Sequence, residues 1–199
     1  MMTHDEQERL TRVGRGTPMG ELLRRYWWPV APVGVVLPHR VRLLCEDLVL
    51  WRDGAGVWSL LEERCPHRGV SLAYGLCERD GLRCPYHGWK FAADGRCVET
   101  PAEPAGSNLR DHVRAVAYPT QELGGLVWAY LGPAPAPLLP RYDVFAREGG
   151  LRDLGHALLP CNWVQIMENS VDPMHTEWLH GVALAAVRTE QGLPAPTPA

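Results

Sequence analysis

The chain has 199 residues and a formal net charge of −3, and 46% of its residues are hydrophobic. This length holds one hydrophobic core and part of a further domain, and the slightly acidic charge gives no electrostatic basis for binding nucleic acid. No apolar run approaches the ~20 residues that span a bilayer, and the polar N-terminus does not have the pattern of a signal peptide, so we expect a cytoplasmic protein without membrane contacts.

The first forty residues contain two helix-start signals. Thr3-x-x-Glu6 is a capping box and predicts a short helix. Thr17-Pro18 supplies a cap and a proline at the first helical position, which predicts a second helix over 19–28 that Pro29 ends. We therefore expect residues 1–40 to form a helical lead segment.

The next part of the chain carries the signals of a small antiparallel β domain, which we place at 41–133. Strand-like runs at 48–52 and 57–61 flank the turn sequence Asp-Gly-Ala-Gly, and a second Asp-Gly pair stands at 94–95. Turn residues between apolar runs predict hairpins. The continuous apolar run at 126–131 predicts a buried strand.

A proline-rich stretch separates this β domain from the end of the chain. Gly-Pro-Ala-Pro-Ala-Pro at 132–137 cannot continue a sheet and favours an extended, semi-rigid backbone. It predicts a linker over 134–160 and a further domain over 161–199. Residues 162–171 have the composition of a helix.

The most informative motif lies within the predicted β domain. Cys65-Pro66-His67 is followed, after sixteen residues, by Cys84-Pro85-Tyr86-His87. Two thiolates and two imidazoles are the ligands of a Rieske-type [2Fe-2S] centre, in which two Cys bind one iron and two His bind the other. Gly69 and Gly88 leave room for backbone N–H groups to approach sulfide. Zinc is the alternative, but Cys₂His₂ zinc sites usually have both Cys before both His, and here the two types alternate.

A second group of potential metal ligands lies in 162–180. Asp172, His175 and His180 fall within nine residues, a density that suggests metal binding. Residues five apart on a regular helix lie ~140° apart around its axis, so some local distortion must bring the two histidines together. Pro173 disfavours helix at Asp172, which can then cap a new helix.

These motifs resemble those of the Rieske non-haem iron oxygenases that hydroxylate aromatic rings, and among them the α subunits of the phthalate-dioxygenase type. CPHRG at 65–69 and CPYHGWKF at 84–91 are similar to the two cluster loops of the family, and NWVQIMENSVDPMHTEWLH at 162–180 matches its iron motif. Val70 and Tyr86 stand where respiratory Rieske proteins carry two extra Cys. The resemblance implies a mainly β, α+β fold, in which a small antiparallel Rieske domain precedes the truncated start of a helix-grip catalytic domain.

The resemblance also implies roles for individual residues. His175 and His180 would bind a mononuclear Fe(II), with Asn169 beside the iron. Asp172 would accept hydrogen bonds from His175 and from His87 of the partner subunit. One [2Fe-2S] cluster per chain would be held by Cys65, His67, Cys84 and His87.

The third iron ligand of the family, a carboxylate, should lie well downstream. Only nineteen residues follow His180, and Glu190 is their only acidic side chain. A short, proline-rich tail gives Glu190 no rigid support as a substitute ligand. We therefore expect the N-terminal portion of an oxygenase, without its third ligand and without most of its catalytic domain.

In the family reaction, a flavin-containing NAD(P)H reductase or a ferredoxin supplies electrons to the cluster. They pass to the Fe(II) for O₂-dependent hydroxylation or O-demethylation of an aromatic compound, within a homotrimer. Two other hypotheses are a stand-alone Rieske ferredoxin-like carrier with a non-functional catalytic remnant and a zinc-stabilised β module. The motif at 162–180 favours oxygenase ancestry, because an electron carrier does not use it.

Overall fold

The computed structural model describes residues 2–194, and the chain divides into two compact units. The larger unit is Arg12–Gly155, and the smaller combines Met1–Thr11 with His156–Ala199. The proline-rich tail beyond 194 lies outside the described residues. Between residues 2 and 194, no helix is long and apolar enough to cross a membrane.

The larger unit contains three antiparallel sheets. Two short α-helices, α2 (Pro18–Leu23) and α3 (Asp143–Ala146), and two 3₁₀ helices at Leu72–Tyr74 and Leu109–His112 accompany them. This architecture confirms the mainly β fold with helices. The strands are β1 (Trp27–Pro32), β2 (His39–Leu43), β3 (Glu46–Arg52), β4 (Trp58–Glu62), β5 (Leu76–Cys77), β6 (Leu82–Arg83), β7 (Lys90–Phe91), β8 (Cys97–Glu99), β9 (Ala117–Tyr118), β10 (Thr120–Leu123) and β11 (Leu126–Tyr130). Their orders in the three sheets are β1-β11-β10, β2-β3-β4-β9 and β5-β6-β7-β8.

The predicted hairpins are present. Strands β3 and β4 pair antiparallel across the Asp-Gly-Ala-Gly turn, and β7 pairs with β8 across the second Asp-Gly turn. The apolar run at 126–131 forms β11, which lies between β1 and β10. Local turn chemistry was sufficient to predict these pairings because each joins neighbouring segments of the chain.

Strand β3 separates two hydrophobic cores. Leu48 and Leu50 face one core, whereas Val49 and Trp51 face the other, and all four side chains are fully buried. Successive residues of a strand point to opposite faces of its sheet, so an uninterrupted apolar run suits a strand covered on both sides. The second core lies beneath the Cys65 and Cys84 loops and contains both cysteines.

The prediction of a helix over 19–28 is wrong at the C-terminal end of that range. Helix α2 ends at Leu23, and Trp27–Pro32 forms β1, which pairs antiparallel with β11. Proline disfavours helical backbone at the residue before it, so Pro29 directs Trp28 into an extended conformation. The Trp27 ring packs on Tyr130 with centroids 5.7 Å apart, a contact between distant residues that the local pattern does not show.

The smaller unit is helical in its described part. The capping box is confirmed at the start of its first helix, because the Thr3 N–H donates to Glu6 at 2.8 Å and the Glu6 N–H donates to the Thr3 hydroxyl at 3.3 Å. Trp163 Nε1 donates to the Leu10 carbonyl at 3.0 Å. The helices are α1 (His4–Thr11), α4 (Trp163–Ser170), α5 (Pro173–His175), a π-helix (Thr176–Ala183) and α6 (Leu184–Glu190).

Candidate metal centres

The two predicted cluster loops have the same backbone frame. In the first loop (65–69) and in the second (84–88), the cysteine N–H donates to the carbonyl five residues further on, at 2.9 and 2.8 Å. The glycine N–H donates back to the cysteine carbonyl at 2.8 and 3.2 Å. Gly69 and Gly88 have φ angles of +70° and +71°, a left-handed backbone that side chains disfavour. Within this shared frame the histidine is the third residue of the first loop and the fourth residue of the second.

The two cysteine side chains lie in the core beneath the loops. Cys65 and Cys84 are each 3% exposed. Burial, and then the neighbouring Cys84, raise the pKa of the Cys65 thiol to about 11, against the effect of the backbone N–H groups of His67 and Arg68. A metal bound by such thiols displaces their protons, and N–H groups directed at sulfur stabilise the resulting negative charge. The pair therefore fits the thiolate end of a cluster.

The two histidine rings approach each other from their separate loops. The ring centroids of His67 and His87 lie 4.7 Å apart. His67 is stacked on the buried Trp89 ring, with centroids 4.4 Å apart and planes 3° from parallel, and Tyr86 packs on His87. Burial, and then the charges of His87 and Arg68, lower the pKa of His67. A neutral imidazole is the form that ligates a metal.

The four predicted ligands thus form a cysteine pair and a histidine pair. Between residues 2 and 194, no three Cys, His, Asp or Glu side chains surround one point as the ligands of a single ion would. Division into two thiolates and two imidazoles is what the two irons of a Rieske centre require.

Two arginines that the sequence motifs did not single out close the loops. Nη1 of Arg64 donates to the Gly69 carbonyl at 3.0 Å, and Nη1 of Arg83 donates to the Gly88 carbonyl at 2.7 Å. Each arginine immediately precedes a predicted ligand cysteine. The available signal was the tripeptide Arg-Cys-Pro, which occurs at both loops.

A network of charged side chains holds the second loop. Arg83 donates to Glu78 at 2.5 and 2.9 Å and to Glu99 at 2.7 Å. Lys90, whose side chain is only 6% exposed, donates to Asp80 at 3.0 Å and contacts Glu99. Hydrogen bonds from Arg83 lower the pKa of Glu78, and those from Lys90 and Arg83 lower the pKa of Glu99. The carboxylates of Glu78 and Glu99 therefore hold the Arg83 guanidinium through its Nε and Nη2 atoms.

The second predicted site lies on the distorted helix of the smaller unit. A π-helix closes its hydrogen bonds between residues five apart, which places such residues on one face. His175 immediately precedes the π-helix at Thr176–Ala183 and His180 lies within it, and their ring centroids are 5.4 Å apart. The π-helix is the local distortion that the five-residue spacing required.

Asp172 caps the short helix that carries His175. Its Oδ1 accepts from the Met174 N–H at 2.9 Å, and its backbone carbonyl lies 2.6 Å from His175 Nδ1. Its Oδ2 is 3.8 Å from the same nitrogen, beyond hydrogen-bond distance. Donation from Nδ1 to the carbonyl leaves the lone pair of His175 Nε2 available for a metal. Asn169 is exposed near the end of α4, and its carbonyl accepts from the Asp172 N–H at 3.4 Å.

Comparison with known proteins identifies the larger unit. The family model of the Rieske [2Fe-2S] domain matches residues 27–119, a range that includes both cluster loops. The class of protein is therefore that of Rieske iron–sulfur proteins, whose domain holds a [2Fe-2S] cluster.

Relatives narrow this class. The chain is 48% identical to the 5,5'-dehydrodivanillate O-demethylase oxygenase subunit of Sphingobium sp., over 96% of this chain and 47% of that protein. It is 45% identical to the phthalate 4,5-dioxygenase oxygenase subunit of Pseudomonas putida, over 90% of this chain and 42% of that protein. The chain belongs to the Rieske [2Fe-2S] oxygenase family and is similar to its phthalate-dioxygenase-type oxygenase subunits.

Solved structures support the same family. NdmA of Pseudomonas putida CBB5, in a mutant with theobromine, matches with a TM-score of 0.70 and 28% identity, over 80% of this chain and 50% of that one. The chain spans about half the length of the curated relatives it matches.

Proposed function

We propose that this chain delivers electrons within a Rieske oxygenase that hydroxylates or O-demethylates an aromatic compound. When bound, the cluster would store one electron and the mononuclear Fe(II) would supply the O₂ chemistry. Support comes from two motifs in one chain: the cluster loops and the paired histidines at 175 and 180. A ferredoxin-like carrier has no use for the second pair.

The observation that carries the proposal is the π-helix at Thr176–Ala183. Without it, the five-residue spacing would direct His175 and His180 to different sides of a helix. With it, the two rings are 5.4 Å apart, and the Asp172 carbonyl orients the first of them. A hydrogen bond of this kind selects the tautomer and ring orientation of a metal-binding histidine.

The ligand assignments form part of the proposal. Cys65 and Cys84 would bind one iron of the cluster through their buried thiolates. The imidazoles of His67 and His87 would bind the other iron. His175 and His180 would bind Fe(II), with Asn169 beside it. Residues 41–133 would form the Rieske domain and 161–199 the start of the catalytic domain, joined by the linker at 134–160.

The partners are proposed on the same basis. The relatives are named as oxygenase subunits, a term for one component of a larger system. A flavin-containing NAD(P)H reductase or a ferredoxin would supply the electrons. In a homotrimer, Asp172 would accept a hydrogen bond from His87 of the partner subunit, and this contact would connect the two metal sites.

The test begins with iron and acid-labile sulfide on protein purified without oxygen. We expect two irons and two sulfides per chain and, after reduction with dithionite, the EPR signal of a Rieske centre. Iron without sulfide, or zinc in its place, would contradict the cluster assignment.

The second site is tested by anaerobic calorimetric titration of the same protein with Fe(II). We expect weak binding, because two imidazoles provide only part of a ligand set. H175A and H180A should abolish it and leave the cluster signal intact, whereas H156A, which removes an exposed histidine of the same unit, should change neither. Equal binding in all three variants would contradict the iron site.

A further inference from the structure

Both backbone polar groups of Gly88, its N–H and its carbonyl, make hydrogen bonds. Its N–H donates to the Cys84 carbonyl at 3.2 Å, and its carbonyl accepts from Arg83 Nη1 at 2.7 Å. Because a peptide unit is planar, fixing the N–H fixes the plane that follows His87, and fixing the carbonyl fixes the plane that leads to Trp89. The backbone on both sides of Gly88 is therefore set by two hydrogen bonds, one of which comes from an arginine side chain.

Trp89, the residue after Gly88, contacts the first loop through the His67 ring. Trp89 is 5% exposed, and its ring lies parallel to the His67 ring with centroids 4.4 Å apart. Its own carbonyl accepts the Cys84 N–H at 2.8 Å, so the backbone beneath the ring is also held. In the first loop the equivalent residue is Val70, which has no aromatic ring. The two peptide planes that meet at Gly88 thus connect to His87 directly and to the His67 ring through Trp89.

Two glutamates hold the Arg83 guanidinium beside Gly88. Glu78 accepts from its Nε and Nη2, and Glu99 accepts again from Nη2. Bidentate binding of a guanidinium by carboxylates fixes both its position and its plane. Lys90 contacts Glu99 in turn and balances part of the negative charge that the carboxylates bring.

From this geometry we propose that Arg83 is a positioning residue that sets the orientation of both imidazole ligands of the cluster. It acts on His87 through the Gly88 peptide and on His67 through Trp89. The proposal rests on the proposed assignment of His67 and His87 as ligands. It goes beyond that assignment, because it gives one arginine outside the ligand motif control over the histidine end of the cluster.

The test compares R83K with R64K on protein that holds its cluster. Both changes keep the positive charge and remove the planar fork of donors. The measurement is the coupling of the two histidine ¹⁴N nuclei to the reduced cluster, by pulsed EPR, together with the midpoint potential. We expect R83K to change the ¹⁴N couplings and shift the potential, whereas R64K stays close to the parent protein.

A second measurement separates positioning from general support. We expect the cluster of R83K to be lost to a chelator roughly tenfold faster than that of R64K, the effect of one charge-assisted hydrogen bond. E99Q, which keeps Arg83 but loosens its hold, should change the couplings in the same direction by a smaller amount.

Each outcome decides the proposal. Parental ¹⁴N couplings and potential in R83K overturn it, even if the cluster is less stable. If R83K holds no cluster, a native far-UV circular dichroism spectrum supports it and an unfolded spectrum overturns it in favour of a role in folding. Absence of a Rieske signal in the parent protein overturns the ligand assignment instead, so the two failures are distinguishable.

Discussion

The first cluster loop is closed by one exposed arginine, whereas the second is closed by an arginine that two glutamates hold. Both arginines donate to the carbonyl of a left-handed glycine, and the two backbone frames share their hydrogen bonds. Among residues 2–194, no carboxylate pairs with Arg64, but Arg83 makes three hydrogen bonds to Glu78 and Glu99. The same loop geometry is therefore built with unequal support.

This difference in support matches a difference in the residue that follows the glycine of each loop. The residue after the first glycine is Val70, which packs against the core. The residue after the second glycine is Trp89, which packs in that core and also supports the His67 ring of the other loop. The loop with the stronger support is the one whose displacement would disturb both imidazoles.

The largest expected effect is common to both loops. Because each loop supplies one buried thiol, C65A and C84A should each abolish the cluster completely, however differently the loops are supported. Iron, sulfide and visible absorbance measure the loss. C77A, which removes an exposed cysteine, is the matched control and should retain full absorbance. A variant of either ligand position that kept its cluster would remove that cysteine from the ligand set.

Alanine at the two glycines should distinguish the loops. A Cβ at Gly69 would meet no atom within 4 Å, whereas a Cβ at Gly88 would lie 3.2 Å from Pro101 Cγ. G69A should therefore lower the free energy of unfolding by only about 1 kcal/mol, the penalty for a side chain on a left-handed backbone. G88A should lower it by about 2–3 kcal/mol, because crowding against Pro101 adds to that penalty.

Urea unfolding of the two glycine variants measures these free energies. Equal losses would show that Pro101 moves aside without cost, and would weaken the view that the second loop is the more tightly built.

The smallest expected effect is a difference between the loops at acid pH. The pKa values of Glu78 and Glu99 are lowered from 4.5 by their cationic partners. Carboxylates of this kind stabilise the fold above their unfolded pKa, and the contribution is lost as the pH falls through the lower folded pKa, which here means below 4.5. The second loop should then loosen relative to the first.

Hydrogen exchange at the Gly88 and Gly69 amides measures this difference, because each amide bonds the cysteine carbonyl of its own loop. As the pH is lowered, the protection factor of Gly88 should fall relative to that of Gly69 in the parent protein. In E99Q this ratio should change less. A constant ratio would mean that the carboxylates do not support the loop.

Much of the site could be predicted from the sequence because its chemistry is local. Ligand types, the loop glycines, the hairpin turns and the caps at Thr3 and Asp172 each depend on residues a few positions apart. The predicted helix over 19–28 failed where a distant contact decided the result, since β11 and Tyr130 draw Trp27 into a strand.

The sequence by itself determined the family and was enough to predict the proposed ligands, because a pair of Cys–His motifs and the 162–180 motif are unbroken runs of residues. Only the tertiary structure decided how those ligands are held. Arg83 meets Glu99 across sixteen residues, and Trp89 meets His67 across twenty-two. Contacts of this range depend on strand pairing and core packing, so no local pattern contains them, and the π-helix that brings His175 to His180 is likewise seen only in the folded chain.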